Sequence, residues 1–116
     1  MTEPWINCVG EGWYDICREI DVQLKAIDPN YQVSQIKEKF GGLRYYYTPS
    51  DATGAVDWEK MRAIVSKGEE QSYTICEECG NPGEPQTGGR YWVRTLCAPC
   101  NKVSEQRRKD RWKRVD

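Results

Sequence analysis

Cys76-Glu77-Glu78-Cys79-Gly80 and Cys97-Ala98-Pro99-Cys100 form two C-x-x-C pairs, separated by the seventeen residues from Gly80 to Leu96. A two-residue gap lets both sulfurs of a pair face one ion, and Zn²⁺ accepts four thiolates tetrahedrally. The spacing therefore fits a four-cysteine zinc ribbon. The chain contains no His, so a four-coordinate site here takes all its ligands from Cys76, Cys79, Cys97 and Cys100. The cofactor this predicts is one structural Zn²⁺ per chain. Gly80 follows the first pair, where a tight turn favours φ > 0. Asn101 follows the second and tolerates the same region. The competing readings are a redox-active C-x-x-C and two local disulfides. A redox motif ordinarily occurs once, at a strand-to-helix junction, not twice in a loop-rich segment. A closed four-thiolate site has no open position for substrate, so it predicts a staple and no reaction.

Upstream of the ribbon the periodicity changes twice. Trp13, Ile16, Cys17, Ile20, Leu24 and Ile27 recur in steps of three and four, which predicts an amphipathic helix over Gly12–Ile27. Asp28-Pro29-Asn30 ends it, because Pro disfavours helical geometry in the residue before it. Tyr31 to Lys39 then alternates, with Ile36 and Phe40 on one face and Lys37 and Lys39 on the other; Val33 falls on the lysine face and breaks the pattern. Gly41-Gly42 predicts a hairpin turn, and Leu43 to Tyr47 the returning strand. After a loop at 49–54, Trp58, Met61, Ile64 and Val65 mark a second helix from Ala55 to Ser72, with Val56 extending the stripe and Gly68 weakening its last turns. Within the ribbon, 81–89 is rich in Pro and Gly and reads as a loop, and Arg90 to Leu96 as a strand. A helix from about Lys102 can follow. The predicted core joins Trp13, Ile20, Leu24, Phe40 and Met61.

The fold class this implies is α+β: helix, β-hairpin, helix, then a four-cysteine zinc ribbon and a basic C-terminal segment. The expected divisions are 1–72 for the α-β-β-α domain, 73–102 for the ribbon and 103–116 for a basic tail or helix. A core within 116 residues is small, and a metal staple suits it. Charge is balanced overall, with 17 Lys and Arg against 18 Asp and Glu. It is distributed unevenly: the first 72 residues are net acidic and the last fourteen net basic. No apolar run approaches the length of a membrane span, and the N-terminus lacks the pattern of a secretory signal. Six Cys without such a signal point to a reducing compartment. Cys8 and Cys17, apart from the ribbon, read as small buried apolar residues.

Gly12-Trp13-Tyr14, Lys37-Glu38-Lys39-Phe40-Gly41-Gly42-Leu43-Arg44-Tyr45-Tyr46, the Cys-x-x-Cys-Gly-x-Pro-Gly run from Cys76 and Thr95-Leu96-Cys97 with Cys100 together resemble a family of small proteins of tailed bacteriophages and prophages. The resemblance covers roughly Gly10 to Cys100, and the lysine-to-tyrosine block is its most specific part. It implies a phage accessory protein acting in the cytoplasm of a bacterial host, and it carries no reaction with it.

Two groups of residues are candidate contact sites. Lys37, Lys39, Arg44 and Tyr46 share the predicted outer face of the hairpin. Two glycines among three cations can also cradle an anion, although the spacing lacks a P-loop. Arg107, Arg108, Arg111 and Trp112 combine cations with an aromatic in the tail, as phosphate and base recognition requires. The bland alternatives are a solvated charged hairpin face, a structural clip and a disordered end. Catalysis has little to work with: there is no His, the carboxylates are scattered, and Pro99 lies between the second cysteine pair rather than before it as in zinc deaminases. The function expected is therefore a non-enzymatic binding protein that modulates a host macromolecule, a protein first. A nucleic-acid-binding ribbon is the alternative, and a nucleotide or small-anion binder stands third. No membrane partner is expected.

Overall fold

The computed structural model describes residues 3–87 and 92–113, and for 111–113 it describes the backbone alone. The chain is α+β. A single 3-10 turn at Glu11–Trp13 leads into helix α1 (Tyr14–Ile27), followed by strands β1 (Gln32–Lys39) and β2 (Gly42–Thr48) and helix α2 (Ala55–Ser72). Short strands β3 (Glu84–Gln86) and β4 (Arg94–Leu96) and helix α3 (Ala98–Lys113) complete it. β1 and β2 form one antiparallel hairpin, β3 and β4 a second. No helix among the described residues is long and apolar enough to cross a membrane.

The core sits where α1, α2 and the inner face of the first hairpin meet. Trp13, Ile16, Cys17, Ile20 and Leu24 of the helical stripe are buried against Met61 and Val65 of α2 and against Ile36, Leu43 and Tyr45 of the hairpin. Trp5 and Val9 close one end. Cys17 is inside, as its apolar character predicts, and burial pushes its thiol up to about 12. Cys8 is exposed, contrary to expectation, because it lies in the turn before α1, with its thiol on the Pro4 carbonyl. At the α1–α2 crossing a Cβ on Gly68 would come within 2.5 Å of Ile20 Cδ1, so this glycine permits close helix approach.

The hairpin departs from the simple alternation in two places, each with a local cause. A register shift between Val33 and Gln35 leaves Ser34 as an extra residue. Such a bulge turns the residues before it to the other face, so Val33 packs on the core together with Ile36. The turn is Phe40-Gly41, one residue earlier than the glycine pair suggested, and Lys39 pairs with Gly42 to close it. Both turn residues have positive φ, 54° and 83°, as in a type I′ turn matching strand twist. Phe40 is thereby lifted out of the core and is 71% exposed. Gly42 belongs to β2, where a Cβ would stand 2.3 Å from Tyr73 Cζ.

α2 also closes the free edge of β2. The Leu43 N–H donates to Ser72 Oγ at 2.9 Å, and the Tyr45 N–H to Glu69 Oε2 at 2.8 Å. Two side chains of one helix thus satisfy backbone donors that an edge strand would otherwise leave open. Trp58 and Val56, expected on the apolar stripe of α2, are exposed; Trp58 Nε1 donates to Thr53 Oγ1 instead. Beyond α2, the segment expected to be loop contributes β3, which pairs Pro85 with Thr95 across the second hairpin. A two-stranded edge tolerates a residue without an N–H. Of the strand expected from Arg90, only Arg94–Leu96 is strand; Trp92 and Val93 precede it, and positions 90 and 91 lie outside the described residues.

Candidate metal centre and hairpin surface

The Sγ atoms of Cys76, Cys79, Cys97 and Cys100 all lie within 4.8 Å of one another. Cys79 and Cys97 are 3.6 Å apart at sulfur, far beyond a disulfide bond of about 2.05 Å. Four sulfurs around one ion at Zn–S of about 2.3 Å are separated by about 3.8 Å, so the cluster has the dimensions of a tetrahedral metal site. The first knuckle hangs from residues 76–81: Cys76 N–H donates to the Asn81 carbonyl at 2.7 Å, and Gly80 N–H to the Cys76 carbonyl at 2.9 Å. Gly80 takes φ 82°, as its position predicts. The second knuckle differs. Cys97 follows the end of β4 and Cys100 is already in the first turn of α3, with Asn101 N–H on the Cys97 carbonyl at 2.9 Å. Asn101 is therefore helical and not left-handed, and the helix begins at Ala98, not near Lys102.

The electrostatics suit thiolate ligation. Burial of Cys76 works against its ionisation, yet N–H groups of Cys97, Cys79 and Glu78 directed at its sulfur outweigh that and bring the thiol to about 7. Cys100 is pushed up, first by its contact with the Cys97 thiol and then by burial. Four crowded thiols cannot all ionise without a cation, and a divalent ion removes that conflict.

The cluster is fastened to the segment that leads into α1 by Glu77 of its first knuckle and by the Ile75 carbonyl just before it. Gly12 N–H donates to the Glu77 carbonyl at 2.7 Å, Gly10 N–H to Glu77 Oε2 at 3.1 Å, and Trp13 Nε1 to the Ile75 carbonyl at 2.9 Å. A Cβ on Gly12 would lie 2.0 Å from the Cys76 carbonyl oxygen. Only glycine allows the knuckle to seat there. Glu77 is buried, and burial pushes its carboxyl up, opposed by the Gly10 N–H and by Arg94. Arg94 reaches Glu77 at 3.3 Å and Glu78 at 2.6 Å. The hairpin tip is tied to the same unit by Thr95 Oγ1, which donates to the Gly41 carbonyl, while within the hairpin the Gly41 N–H donates to Glu38 Oε2 at 2.7 Å.

No family model matches this chain, and no curated protein or solved structure is significantly similar to it. Its chemistry has to be read from its own residues.

Lys37, Lys39, Arg44 and Tyr46 stand on the face of the first hairpin opposite the one that carries Ile36, Leu43 and Tyr45. Lys37 and Arg44 are direct cross-strand partners, an arrangement that like charges disfavour. None of the three cations forms a salt bridge with a described residue. Lys37 Nζ lies 5.7 Å from the centre of the Tyr46 ring and Lys39 Nζ 5.6 Å from that of Phe40. Arg107 and Arg108 lie on α3 beside Trp92 and are not part of the hairpin surface. Positions 111 and 112 fall on the α3 backbone, but the side chains of Arg111 and Trp112 lie outside the described residues. Sequence reasoning assigned Phe40 to the core and so left it out of the surface. The available signal was the turn itself, since Phe40-Gly41 and Gly41-Gly42 both supply a glycine at a two-residue loop.

Proposed function

We propose that this chain is a non-enzymatic accessory protein of bacteriophage type, stapled by one Zn²⁺, whose first hairpin binds and modulates a protein of the bacterial host in the cytoplasm. Zinc suits the centre because four thiolates in a tetrahedral cluster are a soft donor set with no open coordination position. The ion holds the ribbon against α1 and the hairpin tip, and supplies no chemistry of its own.

The observation that carries the binding role is Phe40. It holds φ 54° and exposes 71% of its surface. Left-handed geometry is unfavourable for a bulky residue, and the exposed ring gives the core nothing in return. Strain retained without a structural return points to function. Around the ring, Lys37, Lys39 and Arg44 supply unpaired positive charge and Tyr46 a second aromatic, the composition of a contact hot spot for an acidic-rimmed apolar pocket. The bound zinc keeps the turn in place through Thr95 and Gly41.

Affinity capture tests this reading. Immobilised zinc-loaded protein is expected to retain a host protein from nuclease-treated bacterial lysate. Two folded variants are expected to lose it: Lys37→Glu/Lys39→Glu/Arg44→Glu and Phe40→Asn. Retention of the same protein at parental affinity by both variants would sink the proposal.

A further inference from the structure

A second surface lies between the ribbon and α3. A groove of about 470 Å³ is walled by Trp92, Pro99 and Val103 on its apolar side and by Arg107 and Arg108 along the helix. Trp92 is 57% exposed and Val103 50%, so two apolar side chains face solvent beside two guanidinium groups. Glu78 also lines the groove, its carboxylate held at 2.6 Å by Arg94, which it shares with Glu77. Neither Arg107 nor Arg108 has a salt-bridge partner among the described residues, and Arg108 Nε is buried without an acceptor. Further along α3, position 111, another arginine, comes one helical turn after Arg107. The acidic residue of this stretch, Asp110, is engaged by Gln106 at 3.0 Å.

We infer that this groove binds single-stranded nucleic acid, with Trp92 as a stacking platform for a base and Arg107 and Arg108 as phosphate contacts. The occupant follows from the combination. An acidic peptide would meet the arginines but has no flat ring to set on Trp92, whereas an apolar peptide would leave the arginines unmatched. A single strand offers a π-face and a phosphate at every nucleotide and needs no sequence readout. A duplex keeps its bases stacked on each other and cannot use the tryptophan. The tetrathiolate behind Cys100 lowers the positive potential of the groove, so the arginine contribution has to be measured directly.

The probe is a fluorescein-labelled oligothymidylate about a dozen nucleotides long, titrated with zinc-loaded full-length protein and read by anisotropy and by quenching of tryptophan emission. Saturable binding at low salt is expected. Trp92→Ala is expected to weaken it by about tenfold. Arg107→Gln/Arg108→Gln is expected to lower the slope of log K against log salt by about 1.4, two phosphate contacts at about 0.7 each. Both variants change exposed or half-exposed side chains, and circular dichroism melts check that each variant is folded before it is titrated. The hairpin variant Lys37→Glu/Lys39→Glu/Arg44→Glu is expected to bind the oligonucleotide as the parent does, which separates this groove from the protein-binding face. The inference is overturned by any of three results: no saturable binding by the parent, parental affinity in both groove variants, or equally tight binding of a same-length duplex or of polyglutamate.

Discussion

Replacing Phe40 by Asn is expected to stabilise the protein while abolishing its proposed activity. Phe40 holds φ 54° beside Gly41 at φ 83° in a two-residue turn, where Asn-Gly is the preferred pair. Left-handed geometry disfavours an ordinary L-residue by about 1–2 kcal/mol, and Asn relieves about 1 kcal/mol of that. Against it stands the contact of Lys39 Nζ with the ring, 5.6 Å from its centre, which at an exposed site contributes about 0.5 kcal/mol. The ring itself is 71% exposed. A compact denatured chain hides a comparable share of apolar surface, so losing the ring changes little. The balance is a gain of about 0.5 kcal/mol, a rise in melting temperature of about 2–3 °C for a domain of this size. Phe40→Ala is the control: it removes the ring but lacks the short polar side chain by which Asn tolerates positive φ, so it is expected to gain nothing. Thermal melts of the three zinc-loaded proteins, followed by far-ultraviolet circular dichroism, make the comparison. If Phe40→Asn melts below the parent by as much as Phe40→Ala does, the ring supports the fold and the argument from strain fails.

Three further outcomes follow from the same structure. Purified protein is expected to contain one zinc per chain, and Cys76→Ser or Cys100→Ser to lose it along with the cooperative melt; a metal-free parent or a disulfide within either pair would contradict the centre. Gly12→Ala is expected to destabilise by about 1–3 kcal/mol, because its Cβ meets the Cys76 carbonyl oxygen at 2.0 Å, a rigid backbone atom. A Cβ on Gly68 meets side chains and no backbone atom, Ile20 Cδ1 at 2.5 Å, Ile20 Cγ1 at 2.8 Å and Ile16 Cγ2 at 3.4 Å. The helix preference of alanine offsets part of the repacking cost, so Gly68→Ala is expected to cost less than Gly12→Ala; equal losses in denaturant titrations would refute the distinction. Asp28 is held below the usual carboxylate range by the Ser50 N–H, burial opposing, and then by the Ser50 hydroxyl and the Asn30 N–H. Its stabilisation is therefore complete above the unfolded pKa of about 3.9 and is lost as pH falls through the lower folded value. Melts of Asp28→Asn are expected to depend less steeply on pH in acid than those of the parent, and parallel profiles would count against the clamp.

Local patterning carried much of this protein. The three-and-four spacing from Trp13 to Ile27 fixed α1 and its buried face, because a helix has a single face to offer a core and the sequence marks it. α2 was legible to its end residues, and the two C-x-x-C pairs named all four sulfurs that the fold brings together. Such signals are readable because each depends on residues close in the chain.

What the sequence could not carry were choices made by distant partners. A glycine pair permits either of two turns, and the register of β1 on β2, with Tyr73 filling the space over Gly42, selected Phe40-Gly41 and put Phe40 outside. The bulge at Ser34 was likewise invisible to alternation, since it appears only when two strands are paired. Gly12 looked like a helix start, but its lack of a side chain serves a knuckle sixty-four residues later in the chain. Trp92 became part of a groove only when α3 began at Ala98 and carried Arg107 and Arg108 past it. Periodicity records which face of an element is apolar; which neighbour covers that face, and which residue is left in solvent, is settled by packing between segments far apart in sequence.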